Sequence, residues 1–239
     1  MNAGAGLAVA AVVGAGALHV RPTAMAHGPL RGLRPRFAGR GRTGGVALTF
    51  DDGPDPLGTP AVLAVLDRLG WTATFFMLGS QLRAFPDTAR RVAAAGHEIA
   101  VHGDLHRSHL IRTPRDVRHD MTRALRDISE ITGSRPRWYR APYGHFSAGT
   151  MRAATALGLE PIVWTAWGCD WRAGPPEDVL RHVVRGLDDG GTVLLHDSDC
   201  TSAPGSWRTT VAALPMLAPE FDRRGLDVRP LRDHLPERR

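Results

Sequence analysis

The chain contains no lysine, and all 30 of its basic residues are arginine. That usage reads as compositional bias of the coding sequence, not as a functional device. Cysteine occurs only twice, too few for a disulfide framework or a thiolate-rich zinc module. Residues 1–45 hold no aspartate or glutamate, so Arg21, Arg31, Arg34, Arg36, Arg40 and Arg42 account for the whole formal charge of +6. The remainder is neutral and isolates no basic patch of the kind nucleic-acid binding needs; no nucleic-acid partner is expected. Also lacking is any stretch of the ~20 predominantly apolar residues that span a membrane. The nearest, Ala3 to Leu18, is a weakly apolar Ala/Gly/Val/Leu run. Its length is closer to a signal h-region, with Ala24-Met25-Ala26 as a small-residue cleavage site, although no basic segment precedes it.

What is present suits one globular enzyme domain: 239 residues, 43% of them hydrophobic, enough for one sizeable core. Apolar strand candidates alternate with helices at Gly45–Asp52, Thr72–Leu78, Glu98–His102, Arg137–Arg140, Leu159–Trp164, Thr192–His196 and Leu226–Leu231. The clearest helix runs from Pro114 to Thr132, where Val117, Met121, Leu125, Ile128 and Ile131 recur every three or four residues. Thr113 with Asp116 starts it, Pro114 takes the first helical position and Gly133 stops it. Seven β/α repeats, with polar motifs at the strand ends, predict a distorted α/β barrel. Neither internal repeats nor low-complexity linkers interrupt it.

The first strand candidate delivers two adjacent carboxylates, Asp51 and Asp52, into a Gly-Pro turn. Neighbouring side chains on a strand point to opposite faces, so the two carboxylates are expected to do different work. After the third strand candidate come His102 and His106, two imidazoles four apart, which share one side of a helical turn. Two neutral histidines and a carboxylate are an ordinary ligand set for a catalytic zinc site. His109 and Asp104 compete for that role and read as loop or supporting residues. Further polar groups follow strands at Arg140-Ala141-Pro142-Tyr143-Gly144, Trp167-Gly168-Cys169-Asp170-Trp171 and Leu194-Leu195-His196-Asp197.

The order and content of these five segments, from about Val46 to Leu231, resemble the NodB-type polysaccharide deacetylases of carbohydrate esterase family 4. The resemblance implies a distorted (β/α)7 barrel over residues 45–239. It also implies a hydrolase that removes N-acetyl, or O-acetyl, groups from an envelope polysaccharide or chitooligosaccharide. By the same resemblance Asp52, His102 and His106 match the metal ligands, for zinc first and cobalt or another divalent ion second. Asp51 matches the general base, Arg140 the residue that holds it, His196 the general acid and Asp170 the carboxylate that orients that acid. The Tyr143 backbone N–H matches the oxyanion donor, and Trp171 and Leu194 the walls for the acetyl methyl group, with ordinary core packing as the competing reading of the last two. Two positions depart from the pattern: Gly103, where the family usually has Ser or Thr, and Trp167, where many members carry Asp.

Other readings are a deformylase or cyclic-amide hydrolase, and a silent glycan-binding protein. Residues 1–44 are expected to form a separate arm, dispensable for chemistry, that directs export or membrane association at the envelope; a cytoplasmic protein with an Ala/Gly tail is the alternative. Cys169 and Cys200 are read as free thiols, with one disulfide as the alternative. A monomer is expected.

Overall fold

Alternation along the first strand decides the architecture. In the computed structural model, which describes residues 16–27 and 29–235, β1 (Gly45–Asp51) is buried along its whole length. Val46, Leu48 and Phe50 pack with the helices, whereas Ala47 joins Phe76, Ala100, Trp138 and Ile162 in a second cluster inside the curl of the sheet. Period-two patterning therefore gives one strand two apolar faces, as expected of a parallel sheet covered by helices.

The other strands are β2 (Thr74–Leu78), β3 (Glu98–Gly103), β4 (Trp138–Tyr139), β5 (Glu160–Pro161), β6 (Ala166–Trp167), β7 (Thr192–His196) and β8 (Asp227–Arg229). All pairings are parallel, in the order β5-β4-β3-β2-β1-β7-β6. β8 pairs with the start of β1, Gly45 to Ala47, and β2 with its end, Thr49 to Asp51. Residues 16–27 form helix α1, followed by α2 (Gly58–Leu69), α3 (Gly79–Ala84), α4 (Pro86–Ala94), α5 (Pro114–Thr132), α6 (Ala148–Ala156), α7 (Pro176–Gly186), α8 (Trp207–Arg223) and α9 (Leu231–His234). Helix α5 has the expected bounds: Thr113 Oγ1 accepts the Asp116 N–H at 3.2 Å, and Gly133 closes the end at φ 70°. The expected α/β distorted barrel is what forms.

One strand candidate is corrected. Leu159–Trp164 does not run as a single strand but gives way to β5 and β6, an eighth strand that the sequence reading lacked. Pro161 has no N–H to extend the ladder. Beyond it, Val163 N–H turns to the Phe37 carbonyl (2.9 Å) and Thr165 N–H to Thr192 (2.9 Å). The sheet stays unpaired between β5 and β6, and the connecting segment is stitched to the chain's own N-terminal region.

That region is not a loose arm. Phe37 and Ala38 are buried, Gly41 N–H reaches the Gly190 carbonyl at 2.8 Å, and Arg42 N–H reaches that of His234 at 3.0 Å. Arg36 Nε donates to Glu160 at 2.6 Å, and the Thr192 hydroxyl donates to the Gly39 carbonyl at 2.7 Å. In α1 the Thr23 hydroxyl pairs with both the N–H and the carbonyl of Phe146. The boundary expected at residue 44 therefore coincides with no break in packing. Of the Ala3 to Leu18 run, residues 1–15 lie outside the described residues. Among those described, no helix is long and apolar enough to cross a membrane.

Burying Phe37 alone contributes about 1.5–3 kcal/mol, and in a domain of this size each kcal/mol corresponds to roughly 2–4 °C. A chain beginning at Gly44 should accordingly melt at least about 5 °C lower than the full chain by thermal unfolding. An unchanged melting temperature would show that these contacts carry no stability.

Candidate active site

Every strand-end motif meets at the C-terminal edge of the sheet. Asp51 closes β1 directly beside His196, the last residue of β7. Alternation would send Asp52 to the opposite face, yet its backbone takes the left-handed conformation, φ 78°. Aspartate tolerates that conformation better than most residues, and both carboxylates end on one cavity. His102 lies on β3, whereas His106 lies in the loop after it and not on a helical turn; the expected helical spacing is corrected here. The chain instead bends after His102 through Gly103 at φ 104°, which brings the two imidazole centroids to 5.3 Å.

The Nε2 atoms of His102 and His106 stand 3.2 and 3.5 Å from Asp52 Oδ1. One ligand atom from each of the three residues lies within 4.8 Å of the others. Asp52 Oδ1 is buried and accepts no hydrogen bond, an expensive state for a lone carboxylate oxygen unless a cation shares it. His102 Nδ1 donates to the Arg140 carbonyl at 2.9 Å, which leaves its Nε2 lone pair directed at Asp52. The donor set thus fits a divalent cation. Burial works against the charge on Asp52, but the hydrogen bond from His102 and the nearby His106, His102 and His196 outweigh it and hold the carboxyl well below its usual range. Burial brings His106 down to about 4, keeping it in the neutral, ligating form.

Asp51 is held differently. Its Oδ1 accepts from the fully buried Arg140 guanidinium at 2.7 Å, and the same Arg140 nitrogen donates to Thr49 Oγ1 at 2.9 Å. Asp51 Oδ2 is left 3.8 Å from His102 Nε2, toward the cavity. Across from it, His196 Nδ1 donates to Asp170 Oδ1 at 2.9 Å, while Asp170 Oδ2 accepts from the His196 N–H and the Thr210 hydroxyl, each at 2.7 Å. Burial would lower the His196 pKa, but the charge of Asp170 and its hydrogen bond prevail and raise it to about 10.

These groups share a cavity of about 540 Å³. Asp51, Asp52, His102, His106, Tyr143, Trp171, Leu194 and His196 line it, whereas Arg140 and Asp170 stand behind Asp51 and His196. Tyr143 sits at φ 59°, with its ring edge-on to His106 at 4.3 Å. Leu194 is buried while facing the cavity, and Trp171 is 36% exposed, so it is no core residue. His109 is kept apart, buried between the hydroxyls of Thr150 and Tyr139 at 3.1 and 3.2 Å. Asp104 binds Arg83 at 2.6 Å. Both cysteines are free.

Sequence reading missed Thr201, whose hydroxyl donates to Asp52 Oδ2 at 2.5 Å, and also His27, Trp164 and Ser202 on the cavity wall. Thr49 had a usable signal, being the inward-facing position two before Asp51. Thr201 and His27 had none.

The polysaccharide deacetylase family model matches residues 38–162, more than half of the chain. The chain belongs to the polysaccharide deacetylase family. A chitooligosaccharide deacetylase of Bradyrhizobium sp. (strain ANU 289) is 35% identical over 211 residues, 85% of this chain and 96% of that one. A solved peptidoglycan N-acetylglucosamine deacetylase superposes with a TM-score of 0.78 at 26% identity, over 83% of this chain and 92% of its own. A carbohydrate esterase family 4 pseudoenzyme from Bacillus anthracis reaches 0.75 at 24% identity, covering 83% and 67%, a likeness of fold alone. As a polysaccharide deacetylase the protein is a hydrolase of carbon–nitrogen bonds other than peptide bonds.

Gly103, the departure noted in the sequence, has a local cause. A Cβ there would stand 2.8 Å from Asp120 Oδ2, which accepts the Asp104 N–H at 2.8 Å. The other oxygen, Oδ1, accepts from Arg112 at 2.8 Å. In this polysaccharide deacetylase a carboxylate from α5 steadies the ligand loop and requires glycine opposite. Gly103→Ser is expected to cost about 1–3 kcal/mol through backbone strain and crowding. Adding Asp120→Ala to it should cost less than Asp120→Ala alone, a coupling that denaturant unfolding of the four proteins measures. Strict additivity would show that the two positions do not compete for space.

Proposed function

We propose that the protein is a metal-dependent deacetylase of N-acetylated amino-sugar glycans, with O-acetyl esters as secondary substrates and zinc as the first-choice ion. One observation carries the reading: an orphaned Asp52 oxygen facing two imidazole nitrogens, with a guanidinium-held carboxylate on one side and a carboxylate-backed histidine on the other. One carboxylate and two neutral imidazoles suit zinc and leave positions open. A divalent cation held by Asp52, His102 and His106 would supply Lewis acidity toward water and the acetyl carbonyl.

The remaining work belongs to the chain. Asp51, with one oxygen occupied by Arg140, offers the other to take a proton from the attacking water. The Tyr143 N–H, set in a left-handed turn at the cavity, is the donor for the developing oxyanion. His196 enters the reaction protonated because Asp170 supports its charge, and it delivers a proton to the departing amine. Leu194 and Trp171 give the acetyl methyl group an apolar seat. An envelope glycan as substrate implies that the domain faces the envelope.

Acetate release from acetylated chitooligosaccharides tests the reading. Chelation should abolish it and zinc or cobalt should restore it; full activity in protein shown by elemental analysis to be metal-free would overturn the mechanism. Asp51→Asn is expected to keep the metal and lose about 10²–10⁴-fold in turnover, the usual contribution of a positioned base. Asp52→Asn should lose the metal itself, and equal metal loss in both variants would show the roles to be misassigned.

The acid role of His196 predicts a basic limb in the pH dependence of turnover. Asp170→Asn removes the negative charge that stabilises the imidazolium, so the pKa falls and the limb moves to lower pH. A limb that stays in place would mean that Asp170 does not support the acid.

A further inference from the structure

Trp167 has no part in the chemistry above. Its indole stands at the end of β6 on the wall of the catalytic cavity, 36% exposed, as is Trp171. The two rings are nearly parallel, 20° apart in plane, with centroids 6.5 Å apart. At that separation neither covers the other's face, and together they make one apolar shelf. Trp164 backs the shelf, tilted at 58° to Trp167 with centroids 5.9 Å apart. Trp164 is itself fixed between the Arg140 guanidinium at 5.6 Å and the His27 ring at 5.4 Å. His27, at the end of α1, lies with Nε2 3.1 Å from the Gly144 carbonyl and bounds the same cavity.

Most large apolar side chains of this domain are buried, so two exposed indoles inside a concave site call for a ligand. The ligand must be flat and apolar on its faces and polar around its rim, because the shelf offers π surface while the cavity edge offers polar groups such as His27, His145 and Ser202. A pyranose ring has that form: C–H groups on its faces and hydroxyls at its edge. The shelf carries no charged group able to take part in hydrolysis, so the ring it holds is not the one being deacetylated.

We propose that Trp167 and Trp171 form a stacking subsite for a second sugar ring, the neighbour of the ring that loses its acetyl group, with His27 of α1 as the subsite's boundary. The proposal rests on the deacetylase reading and adds to it: the substrate is an oligomer or polymer gripped through at least two rings, and Trp167 sets the preference for chain length.

The test uses the full chain with N-acetylglucosamine oligomers of increasing length, from the dimer to the pentamer. Acetate release gives kcat and KM separately, and tryptophan emission titration reads binding whether or not turnover occurs. Wild-type KM and dissociation constant should fall with length. Trp167→Ala should weaken the pentamer about tenfold and erase its advantage over the dimer, while Trp167→Phe, which keeps an aromatic face, should retain most of that advantage. Parallel length profiles for wild type and Trp167→Ala would overturn the subsite. Absence of acetate release from every oligomer would sink the deacetylase reading, and the binding titration would still decide the subsite. Length-dependent binding lost in Trp167→Ala supports it; wild-type binding that ignores length, or no binding, overturns it.

Discussion

One buried cation organises the site. Arg140 is fully buried, and its guanidinium lies over the Phe76 ring at 4.1 Å while binding Asp51 and Thr49 on β1. Its backbone N–H bonds to Val101 on β3, and its carbonyl receives the Nδ1 proton of His102. A single residue after β4 therefore positions the base with its side chain and a metal ligand with its main chain. Burial draws the guanidinium pKa down and the Asp51 charge opposes that, but arginine starts so high that it stays charged. Leaving one partner of such a buried pair alone costs roughly 3–5 kcal/mol, so base, ligand and fold are energetically linked.

Burial pushes the two key histidines the same way, and their partners separate them. His106 faces only the shared Asp52 oxygen and is driven down to about 4. His196 has Asp170 to itself, bonded through side chain and backbone, and is raised to about 10. One imidazole is kept neutral to ligate and the other charged to donate, both at the edge of the same sheet. Thr210 holds the outer oxygen of Asp170 in place, as Thr201 does for Asp52. The threonines thus leave each carboxylate one oxygen for its histidines.

The N-terminal region connects this chemistry to the open side of the sheet. Phe37 supplies the acceptor that the strand after Pro161 needs, and α1 pins the loop that carries Tyr143 through Thr23 and His27. The Arg-rich composition that made residues 1–44 read as a separate arm reflects their exposed side chains. Their backbone and small apolar residues are what pack.

Much of this protein was legible because strands present chemistry locally. Alternation along Val46 to Phe50, a carboxylate pair at the strand's end, and polar groups after each later apolar run are properties of a few adjacent residues, and so are the cap and stop of α5. These determined the fold class, the identity of the ten site residues and the side of the sheet on which they meet. Contacts between distant segments were not legible. Thr201 reaches Asp52, and Phe37 reaches Val163, across most of the chain's length, and neither has a periodicity or spacing that announces it. The bend that brings His102 to His106 depends on Gly103 facing Asp120 of α5, and the left-handed backbone of Asp52 reverses what alternation dictates. Sequence alone determined which groups carry the chemistry; tertiary structure decided which face each one turns and what holds it there, because burial and hydrogen bonding are set by neighbours that only folding supplies.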